Sequence, residues 1–415
     1  LWEGRTDRFA ISSGTTGAGK YLPITEERLQ SDRDFLKRVA WRVFKMLKSP
    51  KIMAGKHLSL PGSLEQETVA DHHSWAGEIS GHLAQIAPKW LGWFQTVPAE
   101  KLVQMNFEAK FNEVLKSSQQ DDIRLITAVP SWILTLFQQV IKNNRISHVK
   151  ELWPNLDILI CGGVALRNYA DSLKQLYGRE LQMIETYGAS EGYFAHGEYK
   201  KDGSLDLVID NGIFYEWQPI NPGSEKQSSE EIIPTWEVKT GQKYQMLVST
   251  NAGLWRYPVG DIIEFSALNP PKIRVIGRVE EMLDDYGEAL YLYEAEEALE
   301  QLADTLDINI QHYSVGALHQ NADDVPRHFW FLYTNSEFKN SEKMAKMLDK
   351  QLQDINRHYA IRRTSSALGH PVIQCIPYEN LNAVQPENSH AQSKPKKIIN
   401  SKKRIIELLS EFGEQ

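Results

Sequence analysis

Apolar positions along the chain follow two different periods, and the change from one to the other divides it. Phe9–Ser12 reads as a short strand running into glycine-rich sequence, and Tyr21–Ile24 is a second extended piece. Thr25 then predicts an N-cap, with Glu26 and Glu27 in the first turn of a long helix ending near Lys48. Its apolar set, Leu29, Phe35, Leu36, Val39, Val43, Phe44 and Leu47, recurs at helical period. Asp122–Val140 predicts a strand (IRLITAV), a break at Pro130 and a helix. Leu156–Ile160 is a fully apolar strand running into Gly162-Gly163, and Tyr169–Tyr177 reads as helical. Strand and helix in alternation predict a layered α/β domain.

From about residue 193 to 276 the pattern becomes short strands and turns: Leu205–Ile209, Thr235–Lys239, Tyr244–Thr250 and Ile262–Phe265, with turns at Asp202-Gly203 and Asn211-Gly212. Beyond about 284 it changes again. A helix near Glu294–Leu306 precedes strands at Gln311–Leu318 and Phe329–Thr334, a long helix over Ser341–Tyr359 and a strand at Val372–Ile376. The polar stretch Glu379–Lys403 reads as a loop before a last helix near Lys403–Phe412. The expectation is an α/β protein: a large layered α/β N-terminal domain over 1–283 with an added β-rich part, and a small α+β C-terminal domain over 284–415. No internal repeat is visible.

Composition narrows the function mainly by exclusion. The 415 residues are 41% hydrophobic and 24% charged, as expected of a globular protein. No apolar run reaches membrane-spanning length, and no secretory leader opens the chain, so a cytoplasmic protein acting away from membranes is expected. A net charge of −8 disfavours nucleic acid as a partner. Cys161 and Cys375 lie far apart in apolar stretches and read as buried reduced thiols, and His72-His73 lacks companions at metal-ligand spacing. The chain opens on Leu1 with its most glycine-rich loop about ten residues in, so an N-terminal segment is expected to precede it.

That loop, Ser12-Ser13-Gly14-Thr15-Thr16-Gly17-Ala18-Gly19-Lys20, combines four hydroxyls, three glycines flanking them and a lysine. Glycines let backbone N–H groups approach a polyanion, hydroxyls donate to phosphate oxygens, and lysine supplies charge; the plainer alternative is a flexible turn. Two familiar patterns also match. Gly14–Lys20 fits G-x4-G-K of nucleoside triphosphatases, but Tyr21 follows where a Ser or Thr is needed, and Pro23 opposes a helix. Gly188-Ala189-Ser190-Glu191-Gly192 fits the G-x-S-x-G elbow of serine hydrolases, but the sequence after it reads as strand and turn rather than helix.

Four further segments follow in order: CGGVALRNY (161–169), ETYGASEG (185–192), GLWRYPVGDII (253–263) and GRVEEMLDDYGE (277–288). Each alone has an ordinary structural explanation. Together with the loop they resemble the adenylate-forming superfamily of acyl-CoA ligases, luciferases and adenylation domains. The runs FAISSGTTGAGKYLPIT, VPSWIL, CGGVALRNY, ETYGASEGYF and NAGLWRYPVGDII are similar to the auxin- and jasmonate-conjugating acyl acid amido synthetases, the Gretchen Hagen family, over essentially the whole chain.

The resemblance implies that Ser12, Ser13, Thr15 and Thr16, the backbone of Gly14 and Gly17, and Lys20 hold the ATP phosphates. It places Gly162 and Gly163 on the adenine and acyl side. Tyr187 packs on adenine, with Gly188 and Ala189 on the same stretch; Ser190 meets the α-phosphate and Glu191 binds Mg2+. Asp261 receives the ribose hydroxyls, assisted by Arg278. The acyl pocket is expected at Val129–Leu134 and Gly162–Val164, with Val129, Val164 and Trp132 as candidate walls; Trp132 reads equally well as a core residue. The family's catalytic lysine matches Lys394 in Gln392-Ser393-Lys394-Pro395-Lys396-Lys397, but the proline is shifted and no arginine follows, so Lys396 stays open. Pro258 stands where plant members commonly carry arginine. The implied reaction joins a small carboxylic acid to an amino acid through an acyl-adenylate, on a monomer or weak dimer whose small domain swings about 278–284. Rivals left open are an acyl-CoA ligase, a serine hydrolase using Ser190, a non-catalytic binding protein, and a nucleic-acid binder using Lys394–Arg404.

Overall fold

The computed structural model describes residues 6–12, 20–69, 72–220, 231–279, 282–283, 286, 288, 290–318, 325–335, 341–384, 397–399 and 401–412. Strand β1 (Arg8–Ser12) pairs antiparallel with β2 (Lys20–Pro23), placing the ends of the glycine-rich loop side by side at Ser12 and Lys20. Helix α1 (Glu26–Leu47) follows, and the Thr25 side chain caps it by accepting from the Arg28 N–H. Strands β3 (Lys56–Ser59), β4 (Leu64–Val69) and β5 (His72–Gly77) come next, and β1-β2 join β5-β4 in a small sheet. Nothing in the sequence pattern predicts these three strands, because they are short and carry polar residues on half their positions.

Helices α2 (Ile79–Gln85), α3 (Ala99–Leu102) and α4 (Phe107–Ser117) lead into β6 (Ile123–Ala128), α5 (Pro130–Asn144), β7 (Ile158–Gly162), α6 (Ala170–Tyr177) and β8 (Gln182–Ala189). Strands β3, β6, β7 and β8 are parallel. Their apolar runs are buried on both faces, as parallel strands require. On one face lies a large core that includes Ile133, Leu136 and Phe137 of α5 and Leu173 and Tyr177 of α6. On the other, Phe35, Val39 and Val43 of α1 pack with Ile158 and Ile184. Leu36 and Phe44, expected on that stripe, are instead exposed.

The sheet then turns antiparallel through β9 (Gly192–Glu198), β10 (Leu205–Leu207), β11 (Ile213–Pro219), β12 (Ile233–Pro234), β13 (Lys243–Thr250), β14 (Tyr257–Leu268) and β15 (Pro271–Arg278). Among the described residues it has eleven strands in the order β12-β11-β13-β14-β15-β10-β9-β8-β7-β6-β3. Trp217, Tyr244 and Phe265 are central to the core of this β-rich part. The strand expected at Thr235–Lys239 is a correction: pairing ends at Pro234, and Thr235–Glu237 is a 3-10 turn.

Strands β16 (Met282–Leu283) and β17 (Leu290–Tyr291) pair across the junction to the last part of the chain. That part contains α7 (Leu292–Leu306), β18 (Ile310–Leu318), β19 (Arg327–Thr334), α8 (Ser341–Ile355), α9 (Arg357–Thr364), β20 (Val372–Pro377) and α10 (Lys402–Phe412). Its sheet, β18-β19-β20, carries α7 and α8 on one face and α10 on the other. The long helix expected over Ser341–Tyr359 is two helices. Asn356 ends the first and caps the second by accepting from the Tyr359 N–H at 2.7 Å. Small and large parts meet at a modest apolar seam of Ile220, Ile262, Tyr291 and Tyr293. Among the described residues no helix is long and apolar enough to cross a membrane.

Candidate active site

The parallel strands end together, and their carboxyl ends are where an open α/β sheet binds ligands. Val129 follows β6, Gly162 closes β7, and Tyr187–Ala189 close β8. Gly162 packs so tightly on β8 that an added Cβ would lie 2.5 Å from Thr186 Oγ1, and a Cβ on Gly163 would stand 3.5 Å from Val129. The acyl-side candidates Val129 and Gly162–Val164 are therefore brought together. Trp132 lies deeper, 6% exposed, inside the α5–α6 core.

Strand β8 returns as β9 through a two-residue turn, Ser190-Glu191, between the paired Ala189 and Gly192. A strand follows Ser190 where a nucleophile elbow needs a helix. Similarly, β2 follows the glycine-rich loop where a P-loop needs a helix N-terminus. Ser190 Oγ donates to the Ile11 carbonyl at 3.4 Å, so this turn sits against the end of β1, where the loop begins.

Asp261 and Arg278 are register partners on β14 and β15. Arg278 Nε lies 3.2 Å from Asp261 Oδ1, and Tyr187 Oη donates to Asp261 Oδ2 at 2.6 Å. Both carboxylate oxygens thus hold a donor, which fixes the plane of the group. The Tyr187 ring tilts against Phe194 at 5.2 Å. Burial, followed by the Asp261 charge, pushes the Tyr187 phenol well above its usual range, so it stays protonated and can donate to Asp261. Glu191 is 6% exposed, and burial raises its pKa, with Asp261 adding to the rise and Arg28 and Arg278 opposing it.

The buried pair Arg28–Asp32 beneath this turn escaped the sequence reading. Arg28 Nη1 donates to the carbonyls of Ser190, at 3.4 Å, and Glu191, while Nε pairs with Asp32 at 2.9 Å. A signal existed: positions 28 and 32 fall on the stripe that continues through Phe35, Val39 and Val43, so two charges stand on a buried face.

Lys20 is exposed at the start of β2, and only the backbone of Ser12 is described. Ser13, Gly14, Thr15, Thr16, Gly17, Lys394 and Lys396 lie outside the described residues. Just beyond the lysines, Val315 N donates to the Lys397 carbonyl at 2.7 Å and Ile399 N to the Val315 carbonyl at 2.8 Å. Lys397 Nζ pairs with Glu296, which also receives Arg167 of the CGGVALRNY segment at 3.3 Å. Among the described residues no group of three or more His, Cys, Asp or Glu is arranged to hold a metal.

The fold is similar to those of solved acyl acid amido synthetases and CoA ligases. An AtGH3.15 acyl acid amido synthetase in complex with 2,4-DB superposes with a TM-score of 0.79 at 15% identity, covering 99% of this chain and 83% of that one. A 2-hydroxyisobutyryl-CoA ligase gives 0.53 at 11% identity, covering 98% and 76%. Sequence models of the GH3 family N-terminal domain match residues 1–140, of its central domain residues 207–278 and of its C-terminal domain residues 293–403; the chain belongs to the GH3 family. Indole-3-acetic acid-amido synthetase GH3.4 of Arabidopsis thaliana is 25% identical over 236 residues, 52% of this chain and 38% of that protein. GH3.6 of the same species is 27% identical over 214 residues, 45% and 34%. The matches thus span about a third of the length of these relatives.

Proposed function

We propose that this protein activates a small carboxylic acid with ATP as an acyl-adenylate and passes the acyl group to an amino acid, releasing AMP. The observation that carries the reading is the convergence, at one sheet end, of the Tyr187–Asp261–Arg278 cluster with the Ser190-Glu191 turn and the root of the glycine-rich loop.

In this reading the fixed Asp261 carboxylate accepts the ribose hydroxyls, and Arg278, half exposed beside it, supports that contact. Tyr187 offers its ring to adenine. Ser12, Ser13, Thr15 and Thr16, the backbone of Gly14 and Gly17, and Lys20 hold the phosphates, and Ser190 donates toward the α-phosphate. Attack of the acid on that phosphorus forms the C–O–P bond as pyrophosphate leaves; the amine then attacks the acyl carbon, AMP departs, and the amine loses its proton. Glu191 fits Mg2+ because its carboxylate is buried at the turn beside the phosphate loop, and magnesium is commonly held by one or two carboxylates plus substrate phosphates. When bound, the ion screens the phosphate charge that opposes the acid. Lys394 or Lys396 stabilises the developing charge, from a segment fastened at Lys397 by Val315 and Glu296. Domains at 1–283 and 284–415, with the small one turning about 278–284, would alternate the two half-steps. The working form is proposed to be a cytoplasmic monomer or weak dimer.

Carboxylate-dependent ATP–pyrophosphate exchange across indole, benzoate, jasmonate-like and fatty acids tests the first half-step. Exchange with none of them would reject the enzymatic reading. The likeness to a CoA ligase fold keeps a second acceptor in view. Offering coenzyme A against a panel of amino acids decides, and a thioester product in place of an amide would replace the amido-synthetase assignment.

A further inference from the structure

Helix α1 is tied to three segments around the candidate nucleotide site. Ile24 N donates to the Arg8 carbonyl at 2.9 Å, joining the helix start to the hairpin that bears the glycine-rich loop. Thr25 Oγ1 donates to the Asn251 carbonyl at 2.9 Å, and Asn251 Nδ2 returns to the Glu27 carbonyl at 3.0 Å and Ser31 Oγ at 2.8 Å. These bonds fasten the helix to the loop that leads into Asp261. One turn along, Arg28 grips the Ser190-Glu191 turn through both of its carbonyls.

Arg28 is 1% exposed and Asp32 2%. Taking two such ions out of water costs several kcal/mol each in general, and a well-packed apolar pair is often at least as stable. Stability alone is therefore a poor reason for this pair. A guanidinium can do what an apolar side chain cannot: donate to two successive carbonyls and so set two peptide planes, here those that aim Ser190 Oγ and the Glu191 carboxylate. Arg28 Nη2 is buried without a partner among the described residues, which marks the group as placed for the turn rather than for its own satisfaction.

We propose that Arg28, oriented by Asp32, is a positioning residue of the nucleotide site, fixing the Ser190-Glu191 turn from beneath so that its hydroxyl and carboxylate meet MgATP. This rests on the ATP-binding reading above. The test is calorimetric titration of the full chain with MgATP, with thermal melting in parallel, on wild type, Arg28→Lys and a matched control, Arg363→Lys. Arg363 makes a largely buried pair with Asp349 at 2.6 Å in the small part of the protein, less enclosed than Arg28–Asp32 and remote in role from the nucleotide. The expected result is that Arg28→Lys weakens MgATP binding about tenfold, the scale of a lost charge-assisted hydrogen bond, and raises the Mg2+ needed for half-saturation. Arg363→Lys should lower the melting temperature while leaving both unchanged. MgATP binding by Arg28→Lys equal to wild type, with only the melting temperature lowered, overturns the proposal. A wild type that binds no MgATP overturns the underlying site reading instead. If Arg28→Lys does not fold, Asp32→Asn is read the same way: affinity at least about threefold weaker supports the proposal, and unchanged affinity overturns it.

Discussion

Asp261 holds a phenol on one oxygen and a guanidinium on the other, and only the second contact is partly exposed to water. An ion pair of that kind contributes about 0–1 kcal/mol to stability. Asp261→Asn should therefore leave the urea midpoint nearly unchanged while weakening MgATP binding by about tenfold or more, measured by titration. Gly162→Ala should behave in the opposite way to such a polar change. Its methyl would press on Thr186, costing about 1–3 kcal/mol in a chemical denaturation series. A third residue, His82, reports on pH. It is fully buried, donates Nε2 to the Phe9 carbonyl at 3.0 Å, and desolvation lowers its pKa from 6.5 to about 4. Below pH 6.5 the unfolded chain takes up a proton that the folded chain refuses until about pH 4, so stability present above 6.5 is lost as pH falls through that window. His82→Gln should flatten the fall in the urea midpoint between pH 7 and 4.5. At this scale the sequence singled out Tyr187, Ser190, Glu191, Asp261 and Arg278 as candidates by type and order. It did not announce that Tyr187 hydrogen-bonds Asp261, because that contact joins residues 74 positions apart.

Elements were legible where hydrophobic period and capping chemistry agreed. Thr25, Glu26 and Glu27 marked the start of α1, and the apolar run before Gly162 marked β7. They were misread where tertiary contacts override period. The apolar pattern runs through Asn356 without interruption, yet its side chain caps α9 and donates to buried Glu294 at 2.6 Å. Asn356→Ala should thus cost about 1–3 kcal/mol, the sum of a lost cap and a carboxylate left short of a donor, read as a lower melting temperature. Thr235–Lys239 alternates like a strand, but its pairing partner β11 ends its register with β12 at Glu216 and Trp217. The strands β3–β5 were invisible because a short half-polar strand differs little from a loop until its neighbours are known.

For the molecule as a whole, the change of pattern along the chain correctly implied a layered α/β part, a β-rich part and a smaller α+β part. What it could not supply is how they touch. Glu296 receives Arg167 from the large part and Lys397 from the segment after the candidate lysines. These partly exposed contacts are individually weak, so Glu296→Gln should change the melting temperature little. It should lower pyrophosphate exchange by up to about fivefold, the rate equivalent of 1 kcal/mol, with a smaller effect on amide formation from supplied acyl-adenylate.

The seam of Ile220, Ile262, Tyr291 and Tyr293 has a further consequence. Each side of it has its own core, so the peptide connection chiefly sets an effective concentration for the contact between them. Expressed as two polypeptides, 1–283 and 284–415 should each fold, associate only weakly, and recover exchange activity in proportion to the concentration of the smaller piece.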